Sequence, residues 1–293
     1  MLANMETLRI QTVLHALPLN DFELWLRSAL NSAERAQINT QIYIGVNQSS
    51  KISWECYSDL ANRYNSNQNI FLIYTDKNIG HGNMHNLLFS HGIETNYLLI
   101  CNPDGLLATD TISEFLSQAE IESFKVAFDA RQVPFDHPKK YNLQTLECEW
   151  LSGSCLFLNW NDFKAVNGFD SRFFLHCDDI DLSLRLRNVG VTLKHLPTAR
   201  FYHKKVVDAN GYIKPSEKEP YYNKIGALLL ADKWRNNKAL NEMIRDLQNN
   251  GSELSKKILK EFDLQRNNFP KEADKYSKKL KYYGGWRFSE TEY

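Results

Sequence analysis

The chain has 293 residues, enough for one large α/β domain with an appendage or for two average domains. Hydrophobic residues make up 43% and charged residues 24%, which excludes a disordered or collagen-like chain. Lys+Arg and Asp+Glu balance at 35 each, so the chain lacks the basic field of a dedicated nucleic-acid binder.

In chain order, Leu8–Leu14 reads as a strand. Asn20 is placed to cap a helix over Asp21–Ser32, with Phe22, Trp25, Leu26 and Leu30 on one face. Ile42–Val46 is a short strand ending in the polar loop Asn47-Gln48-Ser49-Ser50. Trp54–Tyr64 predicts a helix, Ile70–Tyr74 a strand and His81–Ser90 a helix. Tyr97–Cys101 is an apolar strand running into Asn102-Pro103-Asp104-Gly105. Thr111-x-x-Glu114 predicts a capping box at the next helix. This alternation predicts βαβ units and a mainly parallel sheet. Ligands of such sheets bind beyond the carboxyl ends of the strands, where the polar loops after them should cluster.

Between Val126 and His203 the rhythm breaks. Phe135–Leu143 reads as a mobile loop, Leu156–Leu158 as a short strand and Asp179–Asn188 as a helix closed by Gly190. Thr192–Leu196 and Arg200–Tyr202 read as two further strands. Beyond Pro220 the chain turns helical and polar, with Ile225–Trp234 packing one apolar face on the main domain. No run reaches the roughly 18 apolar residues of a membrane helix. Met1–Arg9 lacks an apolar signal core, which predicts a cytoplasmic protein. The five cysteines are scattered, as reduced thiols are.

Four groups of residues are chemically suggestive. Asn102 and Asp104, two apart after a buried strand, can face one ligand edge. A carboxylate there can hold Mg²⁺ or Mn²⁺ against a diphosphate, although Asn-Pro-Asp-Gly is also an ordinary turn. Asp178, Asp179 and Asp181 crowd three carboxylates into four residues, so one pKa should rise unless a cation compensates. Asp181 and Arg185 can pair at i,i+4, and acids at a helix start also complement its dipole. His203 follows a returning strand that can bring it to the acids, and with Asp104 it would make two metal ligands. Asn78-Ile79-Gly80-His81-Gly82-Asn83 places two glycines at a strand-to-helix turn, where backbone can approach a ligand. Its spacing is neither a dinucleotide fingerprint nor a phosphate-binding P-loop.

Together these segments resemble the family 2 inverting glycosyltransferases of GT-A fold, in particular rhamnosyltransferase-like members that build bacterial surface glycans. The matching residues begin with Asn78-x-Gly80-x-Gly82-Asn83 and Asn86, then Asn102-Pro103-Asp104 and Trp150-Leu151-Ser152-Gly153-Ser154. They continue through Asn167-Gly168-Phe169-Asp170 and Phe173-Phe174-x-x-x-Asp178-Asp179-x-Asp181-Leu182-x-x-Arg185 to Gly190, Pro197 and His203. The resemblance implies a GT-A domain over residues 1–215 with a helical extension over 216–293. It implies Asp179 as the general base and Asp104 with His203 as ligands of Mg²⁺ or Mn²⁺. Asn78, Gly80, Asn83, Asn102 and Gly153 are implied for the nucleotide-sugar donor. Trp150, Asp178, Asp181 and Arg185 are implied for a glycan or lipid-linked glycan acceptor.

The family's second strand usually ends in an Asp that reads the base. Here Asn47 stands in that segment, leaving base recognition to Asn47, His15 or backbone groups. Two other classes stay open. A nucleotidyltransferase would want a Gly- and Arg-rich loop after the first strand, which His15–Asn20 lacks. A non-catalytic nucleotide-sugar or glycan-binding relative, or a synthase partner subunit, is the other. In the tail, Lys256, Lys257, Lys260, Lys278, Lys279 and Lys281 alternate with Leu259, Phe262, Leu264, Tyr282, Tyr283 and Trp286. That pattern suits a solvated appendage, a homodimer contact, or docking on an anionic membrane at the inner face of the plasma membrane.

Overall fold

The computed structural model describes residues 6–48, 51–67, 69–122, 125–137, 139–207, 209 and 218–268, and the backbone of 282–283 and 287–288. The strands that matter are β1 (Thr7–Leu14), β2 (Asn39–Asn47), β3 (Ile70–Thr75), β4 (Tyr97–Cys101), β5 (Gly105–Leu107), β6 (Val126–Val133), β7 (Cys155–Asn159) and β8 (Thr192–His203). They form one sheet in the order β3-β2-β1-β4-β7-β6-β8-β5. The β3-β2-β1-β4 half is parallel, as is β6-β8, while β7 runs antiparallel to both of its neighbours and β5 antiparallel to β8. The apolar run of β4 follows from this, because helices cover both faces of the parallel half, whereas β1 buries Arg9, Gln11 and Thr12 as well.

The helices are α1 (Leu19–Ala36), α2 (Trp54–Tyr64), α3 (His81–Phe89), α4 (Thr111–Ile121), α5 (Trp160–Ala165), α6 (Asp178–Asn188), α7 (Glu219–Lys233), α8 (Asn237–Asn250) and α9 (Glu253–Gln265). Several local expectations are corrected. Pro18, not Asn20, is the N-cap of α1, since a proline fixes the extended entry and Asn20 falls in the first turn. Thr111 is the first residue of α4, and its hydroxyl donates to the Arg200 carbonyl, so no capping box forms. The two strands expected after Gly190 are one strand, β8. Its register against β6 jumps from Leu196 to Arg200 opposite Ala130 and Arg131, and this irregularity accommodates Pro197, which has no N–H to donate. The stretch Phe135–Leu143 is anchored: Lys139 is buried, and Tyr141 bridges to Cys148.

The C-terminal helices add no strand to the eight-stranded sheet, but they share a core with the segment around α6. Trp150, Phe173, Cys177, Ile180 and Leu184 pack in one cluster with Ile225, Leu228, Leu229, Trp234, Met243, Ile258 and Phe262. Ile225–Lys233 is buried on every side rather than on one face, because α8 and α9 cover what the α6 segment leaves open. Ile258 and Phe262 of α9 point into this cluster, so the apolar side of the basic tail is already occupied here. Lys257 lies over the Tyr221 ring and Lys256 pairs with Glu253. The side chains of Lys278, Lys279, Lys281, Tyr282, Tyr283 and Trp286, and the boundary at 215/216, lie outside the described residues. Among the described residues no helix is long and apolar enough to cross a membrane.

Candidate active site

The acidic cluster opens α6, and the turn before it is strained. His176 and Cys177 are both left-handed, with φ of 67° and 61°. Two consecutive non-glycine residues in that region store energy that the surroundings must offset, a condition common at functional sites. The surroundings here include α7: a Cβ on Gly226 would sit 2.8 Å from the His176 carbonyl oxygen, so only glycine lets the helix approach this turn. The Asp181 N–H donates to the Cys177 carbonyl and starts the helix.

The strained turn separates the roles of the acids. Asp178 is buried, and its Oδ2 lies 2.8 Å from His81 Nδ1 at the start of α3. His81 is held there because Gly80, with φ 90°, lets its own Cα pass the Phe174 carbonyl, to which the His81 N–H donates at 3.0 Å. Burial opposes charge on both partners, but their mutual attraction more than offsets it, raising the pKa of His81 and lowering that of Asp178. Asp179 has no such cation of its own. Its Oδ2 accepts the Gly153 N–H at 2.9 Å and its Oδ1 the Ile180 N–H at 2.9 Å. Burial first, and the Asp178 carboxylate second, push Asp179 up to about 6, with the two N–H donors opposing. One acid is thus fixed as an anion and its neighbour is poised near neutrality.

Asp104 and His203 meet through the β5–β8 pairing, which sets Gly105 opposite His203. A Cβ on Gly105 would fall 2.2 Å from the Phe201 ring, so glycine is needed for β5 to lie on β8. Asp104 Oδ1 and His203 Nε2 face each other at 3.2 Å, and neither atom is satisfied by a well-formed hydrogen bond. The backbone ties this pair to the acids: the Asn102 N–H donates to the Ser154 carbonyl at 2.8 Å, next to the Gly153 that holds Asp179.

Other expected ligand residues have structural employment. Asp181 is fully buried and receives Arg185 Nε at 2.8 Å, Trp234 Nε1 at 2.9 Å and Lys233 Nζ at 2.6 Å. Arg185 also donates to the carbonyls of Val166 and Gly168. Asp181, with no exposed surface, cannot meet an acceptor directly, and the pair locks α6 to α7 and to the Asn167–Asp170 turn. Trp150 is buried between His137, Lys139 and the α7 cluster, and Asp178 is closed off by His81. Asn47 is 2% exposed and serves the Thr75–Gly80 loop, donating to Gly80 O and accepting from Thr75 Oγ1 and the Ile79 N–H, so it is not free to read a base. Asn78 accepts the Gly80 N–H, and Asn83 donates to Ile79 O and Ser171 O. Gly153 acts on Asp179. His15, exposed at the end of β1, is the remaining base-side candidate. A cavity of about 250 Å³ opens beside the lead-in to α6, between Phe174, Tyr222 and Glu261.

Sequence reasoning quoted His81 only as part of a loop and missed Lys233, Gln132, whose amide oxygen lies 2.6 Å from His203 Nδ1, and Asp129, which accepts the Ser152 N–H at 2.7 Å. His81 meets its partner across 97 positions, a separation no local pattern reveals.

No protein-family model matches the chain. It is 25% identical over 139 residues to the rhamnosyltransferase WbbL of Escherichia coli, covering 38% of this chain and 53% of that one. It is 43% identical over 56 residues to an N-acetylglucosaminyl-diphospho-decaprenol L-rhamnosyltransferase of Mycobacterium tuberculosis, covering 19% of this chain and 18% of the relative. The chain thus matches about half the length of one curated relative and under a fifth of the other. Among solved structures, GalNAc-T7 with UDP, GalNAc and Mn²⁺ superposes with a TM-score of 0.61 at 10% identity, covering 79% of this chain and 48% of that one. Residues 1–349 of Staphylococcus aureus TarS give 0.54 at 12% identity, covering 78% and 66%. The mannosyltransferase PcManGT of Pyrobaculum calidifontis, in complex with GDP-Man and Mn²⁺, gives 0.54 at 13% identity, covering 77% and 61%. The chain has the GT-A fold of these glycosyltransferase structures, and part of its sequence is similar to those of the two rhamnosyltransferases.

Proposed function

We propose that the protein is an inverting glycosyltransferase that moves a sugar, rhamnose first among the candidates, from a nucleotide diphosphate to a hydroxyl of a lipid-linked glycan. The observation that carries this reading is the pair of unequal acids. Asp179, fixed by two backbone N–H groups with its pKa near 6, is a base able to take a hydroxyl proton at neutral pH. Asp178 stays ionised against His81, sustaining that raised value and leaving the proton to Asp179. The acceptor hydroxyl attacks the anomeric carbon as Asp179 Oδ removes its proton, and the diphosphate departs on the opposite face. Such a transition state has oxocarbenium character.

The residues present suit a divalent cation. Asp104 Oδ1 and His203 Nε2 are an oxygen and a nitrogen, close together and otherwise unsatisfied. Among the described residues no third His, Cys, Asp or Glu joins them, so a diphosphate and water would complete the shell. A cation held there would neutralise charge growing on the departing diphosphate. Two relatives of the fold are described with Mn²⁺, which supports the same assignment.

The test is a panel of sugar nucleotides, with dTDP-rhamnose included, assayed for donor cleavage and transfer with Mn²⁺ or Mg²⁺ and with EDTA. Cleavage of one donor, lost in EDTA and in Asp179→Asn, supports the reading. Tight nucleotide-sugar binding with no turnover of any donor would favour a binding protein instead.

A further inference from the structure

Resting on the metal site proposed above, we infer that Gln132 is a positioning residue that sets the tautomer of His203 and so keeps its Nε2 open as a ligand atom. Gln132 lies in β6 and is 3% exposed. Its Nε2 donates to Ser152 Oγ at 3.0 Å, which fixes the orientation of the amide. The amide oxygen therefore faces His203 Nδ1, at 2.6 Å. A carbonyl oxygen can only accept, so Nδ1 carries the proton. A neutral imidazole has one N–H, and Nε2 is left with a bare lone pair, pointing at Asp104 Oδ1. With the proton on Nε2 instead, the ring would donate to that carboxylate. The two ligand atoms would then satisfy each other and close the site. Gln132 prevents this by taking the proton's hydrogen bond on the far side of the ring.

The orientation of Gln132 has its own support. The Ser152 N–H donates to Asp129 Oδ2 at 2.7 Å, and Ser152 Oγ donates to Ser154 Oγ at 3.2 Å. Asp129 is buried in an ion pair with Lys139 and receives His195 Nδ1 at 2.9 Å. Lys139 Nζ in turn donates to the Trp150 carbonyl at 3.1 Å. A buried charge network on β6 and β8 thus holds the Trp150–Ser154 segment, the segment holds the amide, and the amide holds the ring. Outer partners of metal-ligating histidines commonly govern affinity by 10- to 100-fold.

The full-length protein is tested with two variants. Gln132→Met keeps size and removes the acceptor, whereas Gln132→Glu keeps an acceptor for Nδ1–H. Long-range ¹⁵N–¹H NMR of the metal-free protein reads the His203 tautomer. Electron paramagnetic resonance with dTDP and, separately, with UDP present reads Mn²⁺ affinity. The wild type should show Nδ1–H. Gln132→Met should shift to Nε2–H and lose about 10- to 100-fold in Mn²⁺ affinity. Gln132→Glu should keep Nδ1–H and stay within a few-fold. If Gln132→Met does not fold, Ser152→Ala, which frees the amide to turn, should show the same direction more weakly. A wild type that binds Mn²⁺ alongside a folded variant with unchanged tautomer and affinity overturns the role of Gln132 and leaves the metal reading standing. A wild type that binds no Mn²⁺ with nucleotide overturns both.

Discussion

His81 Nδ1 and Asp178 Oδ2, 97 positions apart in the chain, lie 2.8 Å apart and join the first turn of α3 to the first turn of α6. The Gly80–His81 turn and the acidic cluster are therefore one electrostatic unit. His81 also lowers the pKa of Asp179, opposing the rise that burial and Asp178 cause. In His81→Gln that positive charge is gone and the two carboxylates compete for a proton. The acid limb of the kcat–pH profile should move up from about 6, which a profile over pH 5–9 measures; an unmoved limb would count against the unit.

Asp179→Asn should separate activity from stability. As base, Asp179 must be ionised, so wild-type turnover should fall as pH drops through about 6, and the variant should lose about 10²- to 10⁴-fold in kcat. The native pKa is raised above that of the unfolded chain, so the ionised form is penalised in the fold. That penalty is complete above about 6 and vanishes as pH falls through the ordinary carboxylate range. The amide of the variant can accept only one of the two backbone N–H groups, so the test is the pH dependence: the stability of the variant relative to the wild type should rise by about 2 kcal/mol from about pH 4 to about pH 7. A difference that does not change with pH would contradict the raised pKa.

Lys233 is 1% exposed and bridges Asp170 at 2.7 Å and Asp181 at 2.6 Å. Lys233→Met removes one cation from each of two buried carboxylates, leaving Arg172 on Asp170 and Arg185 on Asp181. It should cost about 2 kcal/mol by chemical denaturation, below the roughly 3–5 kcal/mol of a buried charge left without any partner. Asp181→Asn should likewise lower stability while leaving the acceptor KM of the folded enzyme unchanged, because Asp181 has no exposed surface. A selective rise in KM without loss of stability would restore Asp181 to the acceptor site.

Gly105→Ala should act at the metal pair. The added Cβ would fall 2.2 Å from the Phe201 ring, so β5 must lift from β8 and carry Asp104 from His203. A stability loss of about 1–3 kcal/mol is expected, together with a higher Mn²⁺ requirement in the transfer assay.

The sheet was legible because its strands carry local signals: Tyr97–Cys101 is uniformly apolar, and Asn102–Gly105 ends it with turn-forming residues. The acids were legible as a cluster, since three carboxylates within four residues need compensation. Which of them is free was not legible. Asp181 looks as available as Asp179 in the sequence, and only the arrival of Trp234 and Lys233 from α7 consumes it. Asn47 misled for the same reason: an amide after a strand suits a ligand or a loop equally well, and its loop partners Thr75, Ile79 and Gly80 lie about thirty positions on. The register jump in β8 was hidden because Pro197 reads as a strand end when its partner strand is unknown.

The approach of Gly226 to the His176 carbonyl has a consequence for biosynthesis. The left-handed turn at His176 and Cys177 is made well before α7 on the ribosome, yet α7 supplies the packing against it. Domains generally fold as units during synthesis, N-terminal parts first. Until α7 emerges, Phe173, Ile180 and Leu184 have no cover from it, and Asp181 lacks both Lys233 and Trp234. The nascent sheet therefore exposes this apolar face until α7 emerges. A ribosome stalled before Glu219 should hold a chain that is protease-sensitive around residues 173–185, and translation through Trp234 should close that window.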